Sequence, residues 1–210
     1  MSEEGGEVKQ ELSTIKASAR ILPTTTEPTT PQIAMSVQNE EKKAGHGIVF
    51  SAYSSDNSTL AHLMLEIGIS AEKLKNTNPT VQVALITNAP KAMVPNVIDH
   101  IIEVEEKLLL AGDFSRGDQK SRQWFTRLYY LARSPFKVTC YFDSHAVFAT
   151  DKVNQLLQQF DDLDIDVATA NSSPHSFSCH NFSILFKWND RVKLMFQDWI
   201  LAQLRAGINV

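Results

Sequence analysis

The chain has 210 residues, 43% hydrophobic and 21% charged, with a formal net charge of -4. That is enough apolar material for the core of one globular domain, and the mild charge without a Lys/Arg block excludes nucleic acid or an anionic membrane as the expected partner. Two cysteines, Cys140 and Cys179, make neither a disulfide framework nor a zinc knuckle.

Residues 1–45 are rich in Glu, Thr, Pro, Ser and Lys, with the run T-T-T-E-P-T-T-P from Thr24 to Pro31, and their few apolar residues keep no period. They read as a disordered leader, because too little apolar surface is present to offset the entropy of ordering it. The domain is expected over residues 46–210. No run reaches the roughly 18 to 20 apolar residues needed to span a bilayer, and the start of the chain lacks the apolar core of a signal peptide. The chain therefore reads as soluble, cytoplasmic by default, or from the secretory pathway if an anchor is missing.

Ile48-Val49-Phe50 is a continuous apolar run that empties into the small polar stretch Ser51 to Asn57. This predicts a first buried strand feeding a helix with Asn57 or Ser58 as N-cap, and Leu60, Leu63, Met64 and Ile67 give that helix one apolar face. Val81 to Thr87 and Val97 to Val104 read as two further strands. The alternation of strand and helix is the βαβ pattern of a parallel sheet. Gly112 to Lys120 is a polar loop, followed by a helix whose Trp124, Phe125, Leu128, Tyr129 and Leu131 are expected to pack in the core.

Ser134-Pro135 then introduces Val138 to Phe142, a β-branched and aromatic run that predicts the central strand, with Asp143 immediately behind it. Carboxyl ends of strands in an open α/β sheet face the ligand crevice, so a carboxylate there is placed for cofactor or metal chemistry. If the chain stays extended, His145 points the same way, and carboxylate plus imidazole is a partial shell for a divalent metal. The competing reading makes Asp143 a turn cap and His145 a surface residue. Thr150 is the expected cap of a helix carrying Val153, Leu156, Leu157 and Phe160 inward. Ile165 to Ala168 and Phe182 to Phe186 read as the last strands, and Asn189 or Asp190 begins a final helix with Val192, Met195, Phe196, Trp199 and Ile200 inward.

In this order, residues 47–204 resemble the GT-A glycosyltransferases of the nucleotide-diphospho-sugar transferase superfamily. The resemblance is carried by Ile48 to Asp56, by the K-x-x-x-W segment Lys120 to Trp124, by Y-F-D-S-H in the place of a strand ending in Asp-X-Asp, and by H-N-F-S-I-L-F-K-W-N-D-R-V. It implies an α/β fold of GT-A or Rossmann-like type, a mainly parallel sheet with helices on both faces. It implies transfer of a sugar from a nucleoside-diphosphate donor, first of all UDP-linked, to a glycan, protein or small-molecule acceptor. By the same resemblance, Ser51, Ala52 and Tyr53 lie at the nucleotide, Lys120 lies near the diphosphate and Asn181 lies beside the donor sugar or acceptor. Asp143 with His145 would hold Mn²⁺ or Mg²⁺, the ion bridging the diphosphate oxygens.

Three positions depart from the family pattern. His145 replaces the second acid, Phe182-Ser183 stands where Ser-Gly is usual, and the later segment that often carries an Asp-Gln pair has no counterpart before Val210. The expected domain therefore lacks its carboxyl-terminal acceptor part, no acceptor-activating base can be named, and a non-catalytic nucleotide-sugar-binding member of the same fold is the alternative. A haloacid dehalogenase-like phosphatase fits less well, because D-S-H-A-V lacks that family's second acid and follows about the fourth strand rather than the first.

Overall fold

Alternating buried strands and amphipathic helices build one six-stranded sheet in the computed structural model, which describes residues 43, 45–105, 126–171 and 179–208. All of the leader but Lys43 and Gly45 lies outside the described residues, as do Lys120, Trp124 and Phe125. The strands are β1 (His46–Ala52), β2 (Gln82–Thr87), β3 (His100–Glu103), β4 (Val138–Phe142), β5 (Val167–Asn171) and β6 (Cys179–Lys187). Their order is β3-β2-β1-β4-β6-β5. The first four neighbours pair in parallel, whereas β6 runs antiparallel to both β4 and β5. The mainly parallel α/β architecture expected from the sequence is thus the observed one, with one reversed strand.

Period-2 alternation decides which residues meet which layer. Ile48, Phe50, Ala52, Val83, Leu85, Val138 and Cys140 share one face and form a buried cluster with α1 (Asn57–Thr77) and α2 (Val153–Asp162). Helix α3 (Asp190–Ile208) covers the other face, where the rings of Phe196 and Phe186 meet edge to face at 5.1 Å. Each such fully buried large apolar side chain contributes about 2 kcal/mol from area removed from water. β1 packs closely against the loop before β4. A Cβ on Gly47 would stand 2.3 Å from the buried Phe136 ring, so only glycine fits there.

Helix boundaries differ from the sequence expectation for local reasons. Asp56, one residue earlier than expected, caps α1 by accepting the Thr59 N–H on Oδ2 at 2.6 Å. The expected faces hold at Leu60, Met64 and Ile67 of α1 and at Val192, Phe196 and Ile200 of α3, all buried. Leu156 of α2 is instead exposed, because it lies at the margin of the stripe that Val153, Leu157 and Phe160 centre on the sheet. Thr150 does not cap α2 either. Its hydroxyl accepts from Lys152 in the preceding turn, and the Val153 N–H is taken by the Asn78 side chain from the end of α1.

No helix among the described residues is long and apolar enough to cross a membrane.

Candidate functional site

The chain runs from β1 outward to β2 and β3, then returns to lay β4 on the other side of β1. This reversal between β1 and β4 is the topological switch point of the sheet. In open α/β sheets ligands bind outside the carboxyl ends of the strands at such a point. The residues there are therefore Ser51 and Tyr53 from β1 and its exit, Tyr141 and Asp143 from β4 and its exit. Register brings the two strands level, with Val49 beside Tyr141 and Phe50 beside Phe142.

These four side chains fall on one face because 51, 53, 141 and 143 alternate with core residues, and a cation completes the set. The Tyr141 hydroxyl donates to Asp143 Oδ1 at 2.6 Å, and Ser51 Oγ lies 2.8 Å from the same hydroxyl. A phenol has one proton to give, so Ser51 is the donor in its own bond with Tyr141. Arg127, from the helical stretch 126–131, brings Nη1 to 3.4 Å from Asp143 Oδ1 and lies over the Tyr141 ring at 5.2 Å. Asp143 and Arg127 each keep only 17% of their side-chain surface exposed.

Burial pushes the Tyr141 phenol well above its ordinary value, Arg127 pulling it down and the Asp143 carboxylate pushing it further up. Burial likewise lifts Tyr53 to about 12, against the opposing pull of Arg127. Both rings stay protonated at neutral pH. Within this network of described residues the charged groups are then the Asp143 carboxylate and the Arg127 guanidinium.

The loops around this group are fixed by side chains standing in for backbone. Asn88, just after β2, accepts the Ser54 N–H at 3.1 Å and donates to the Ser54 carbonyl at 2.8 Å, which pins the exit of β1. After Asp143 the chain does not stay extended. The Ala146 N–H closes a turn on the Asp143 carbonyl at 3.1 Å, so strand alternation ends at Asp143 and gives no reason for exposed His145 to share its face. The turn is moored to α1, since Ser144 Oγ donates to Glu66 at 2.9 Å and Ser70 Oγ donates to the Ser144 carbonyl at 2.9 Å. Glu66 in turn lies 3.3 Å from His62.

Of the residues singled out in the sequence, Ser51, Tyr53 and Asp143 come together in this network. Ala52 points the other way, into the core beneath α1. Asn181 belongs to β6, whose antiparallel course brings its entry to the carboxyl end of β4: Ser183 pairs with Phe142, and Asn181 is two residues further along. Lys120 lies outside the described residues, and among the described residues no three His, Cys, Asp or Glu side chains gather as a metal site. Sequence reasoning missed Arg127, Tyr141 and Asn88. Tyr141 was within reach through its i, i+2 relation to Asp143, but Arg127 sits in an aromatic helical run that reads as core.

A shallow depression of about 420 Å³, lined by Gly45, His46, Thr80, Gln82 and Asn154, lies at the opposite, amino-terminal end of β1 and β2. It shares no residue with the network.

No family model and no curated protein matches the chain. Among solved structures it is similar to a crystal structure of an active-site mutant of LgtC, with 11% sequence identity and a TM-score of 0.48 over 78% of this chain. The chain spans 65% of the length of that structure.

Proposed function

We propose that this chain is a glycosyltransferase-like protein of the GT-A type that binds a sugar nucleotide, UDP-linked first, at the carboxyl ends of β1 and β4. One observation carries the reading: Ser51, Tyr53, Tyr141, Asp143 and Arg127 meet at the switch point of the sheet, where open α/β sheets take their ligands. The sequence resemblance, which covers residues 47–204, leads to the same strand ends.

Departure of a nucleoside diphosphate builds negative charge on its oxygens, and fixed positive charge in a half-buried site offsets that charge most strongly. Lys120 is the sequence's candidate for a point charge at the diphosphate, and Asn181, at the entry of β6, for a contact to the donor sugar or acceptor. Saturation-transfer NMR with a panel of sugar nucleotides, on the parent and on Asp143→Asn, tests the reading. Transfer to a UDP-sugar that the substitution weakens supports it, and a signal absent from every nucleotide removes it.

A second reading, binding without turnover, is favoured by the state of Asp143. Its Oδ1 is already committed to Tyr141 and Arg127, which leaves only Oδ2 to take a proton from an acceptor hydroxyl. Nucleotide binding without transfer or hydrolysis across a panel of acceptors distinguishes this reading from the catalytic one.

A further inference from the structure

The geometry points to Arg127, rather than a divalent cation, as the positive charge that a bound diphosphate meets at the end of β4, with Asp143 as the counter-ion of the guanidinium. This inference rests on the sugar-nucleotide reading and goes further, because it removes the divalent-metal requirement that a strand-end aspartate otherwise suggests.

Mg²⁺ and Mn²⁺ take octahedral shells of oxygen and nitrogen ligands and demand carboxylate oxygens open to them. Asp143 Oδ1 already accepts from the Tyr141 hydroxyl at 2.6 Å and lies 3.4 Å from Arg127 Nη1. An ion bound there would stand beside a permanent positive charge. The second donor is no better placed, since the turn closed between Asp143 and Ala146 ends the extended backbone on which His145 would share the Asp143 face. Anchoring of Ser144 to Glu66 and of its carbonyl to Ser70 holds that turn against α1. Among the described residues the Asp143 carboxylate therefore offers only Oδ2, beside a guanidinium, and no three His, Cys, Asp or Glu side chains gather to complete a shell, so these donors fit a hard divalent ion poorly.

The same set does fit an oriented guanidinium. Arginine is always charged and its planar array of donors matches phosphate oxygens, provided its plane is held. Asp143, the Tyr53 hydroxyl and the Tyr141 ring hold it here, and 17% of its side-chain surface remains exposed. Asp143 is on this account a positioning residue, acting on the ligand through Arg127.

The test is calorimetric titration of UDP into the full chain with a chelator and, separately, with Mn²⁺ or Mg²⁺, repeated on Arg127→Lys. UDP affinity is expected to agree within about twofold with and without the divalent ion and to fall about tenfold in Arg127→Lys, because an ammonium cannot reproduce the donor array. Binding that requires Mn²⁺ or Mg²⁺ overturns the inference and leaves the sugar-nucleotide reading standing. Binding that Arg127→Lys leaves unchanged removes Arg127 from the role. UDP binding absent in both buffers removes both readings together. The chelator comparison uses the parent protein, so it decides the matter even if the variant folds poorly.

Discussion

The Tyr141 hydroxyl donates to the carboxylate of Asp143, two residues further along the same chain, at 2.6 Å. Strand alternation makes this pairing, because i and i+2 share a face, and the low exposure of both groups makes it costly to lose. Tyr141→Phe keeps the ring but takes the partner from Ser51 and one donor from Asp143. The expected result is a loss of about 1–3 kcal/mol in urea unfolding. Ser51→Ala should then cost less in the Tyr141→Phe background than alone, since the two share one bond. Additive losses would show that the two hydroxyls do not interact.

Asn78 joins the end of α1 to the start of α2. Its side chain donates to the Thr150 carbonyl at 2.8 Å and accepts the Val153 N–H at 3.1 Å, doing for α2 what a local cap does elsewhere. Asn78→Ala leaves both backbone groups without that partner in a position only 3% exposed, and is expected to destabilise by about 2 kcal/mol. Thermal unfolding of the variant checks this. Thr150→Val, which removes a hydroxyl from the preceding turn only, should cost distinctly less.

Acid sensitivity is expected at the other end of the sheet. Burial pushes the Asp161 carboxyl up, but the Lys137 ammonium at 2.8 Å and the His46 ring at 3.1 Å outweigh it and hold the group below its ordinary value of 3.8. A carboxyl depressed on folding contributes stability that is present above its unfolded value and lost as pH falls through the folded one. The difference in urea midpoint between the parent and Asp161→Asn should therefore be full at neutral pH and close as the pH is taken below about 3.8. A difference independent of pH would mean that the ion pairs contribute nothing through the charge of Asp161.

The legible parts of this protein are those that local pattern controls. Apolar runs revealed β1, β2 and β4, and the 3.6-residue period showed the buried stripes of α1 and α3 because packing there follows one face. What pattern does not carry is pairing. The reversal of β6 between β4 and β5 depends on which edges meet, and a β6 read antiparallel has the same composition as one read parallel. The site divides along the same line. Asp143 was visible as a carboxylate behind a buried strand, whereas Arg127 joins it from a helical run 16 positions earlier through a contact that only the tertiary fold creates. The alternation that would set His145 beside Asp143 stops at the turn after β4.

Backbone NMR of the full chain during titration with UDP reports where on the sheet the nucleotide sits. Two ends of one sheet compete: the network of Ser51, Tyr53, Tyr141, Asp143 and Arg127 at the carboxyl end, and the shallow depression lined by His46, Thr80 and Gln82 at the amino end. Amide shifts are expected to concentrate at Ser51 to Ser54, Arg127 and Asp143 to Ala146, to saturate together and to weaken in Asp143→Asn. Shifts centred on His46, Thr80 and Gln82, or none at all, would contradict it.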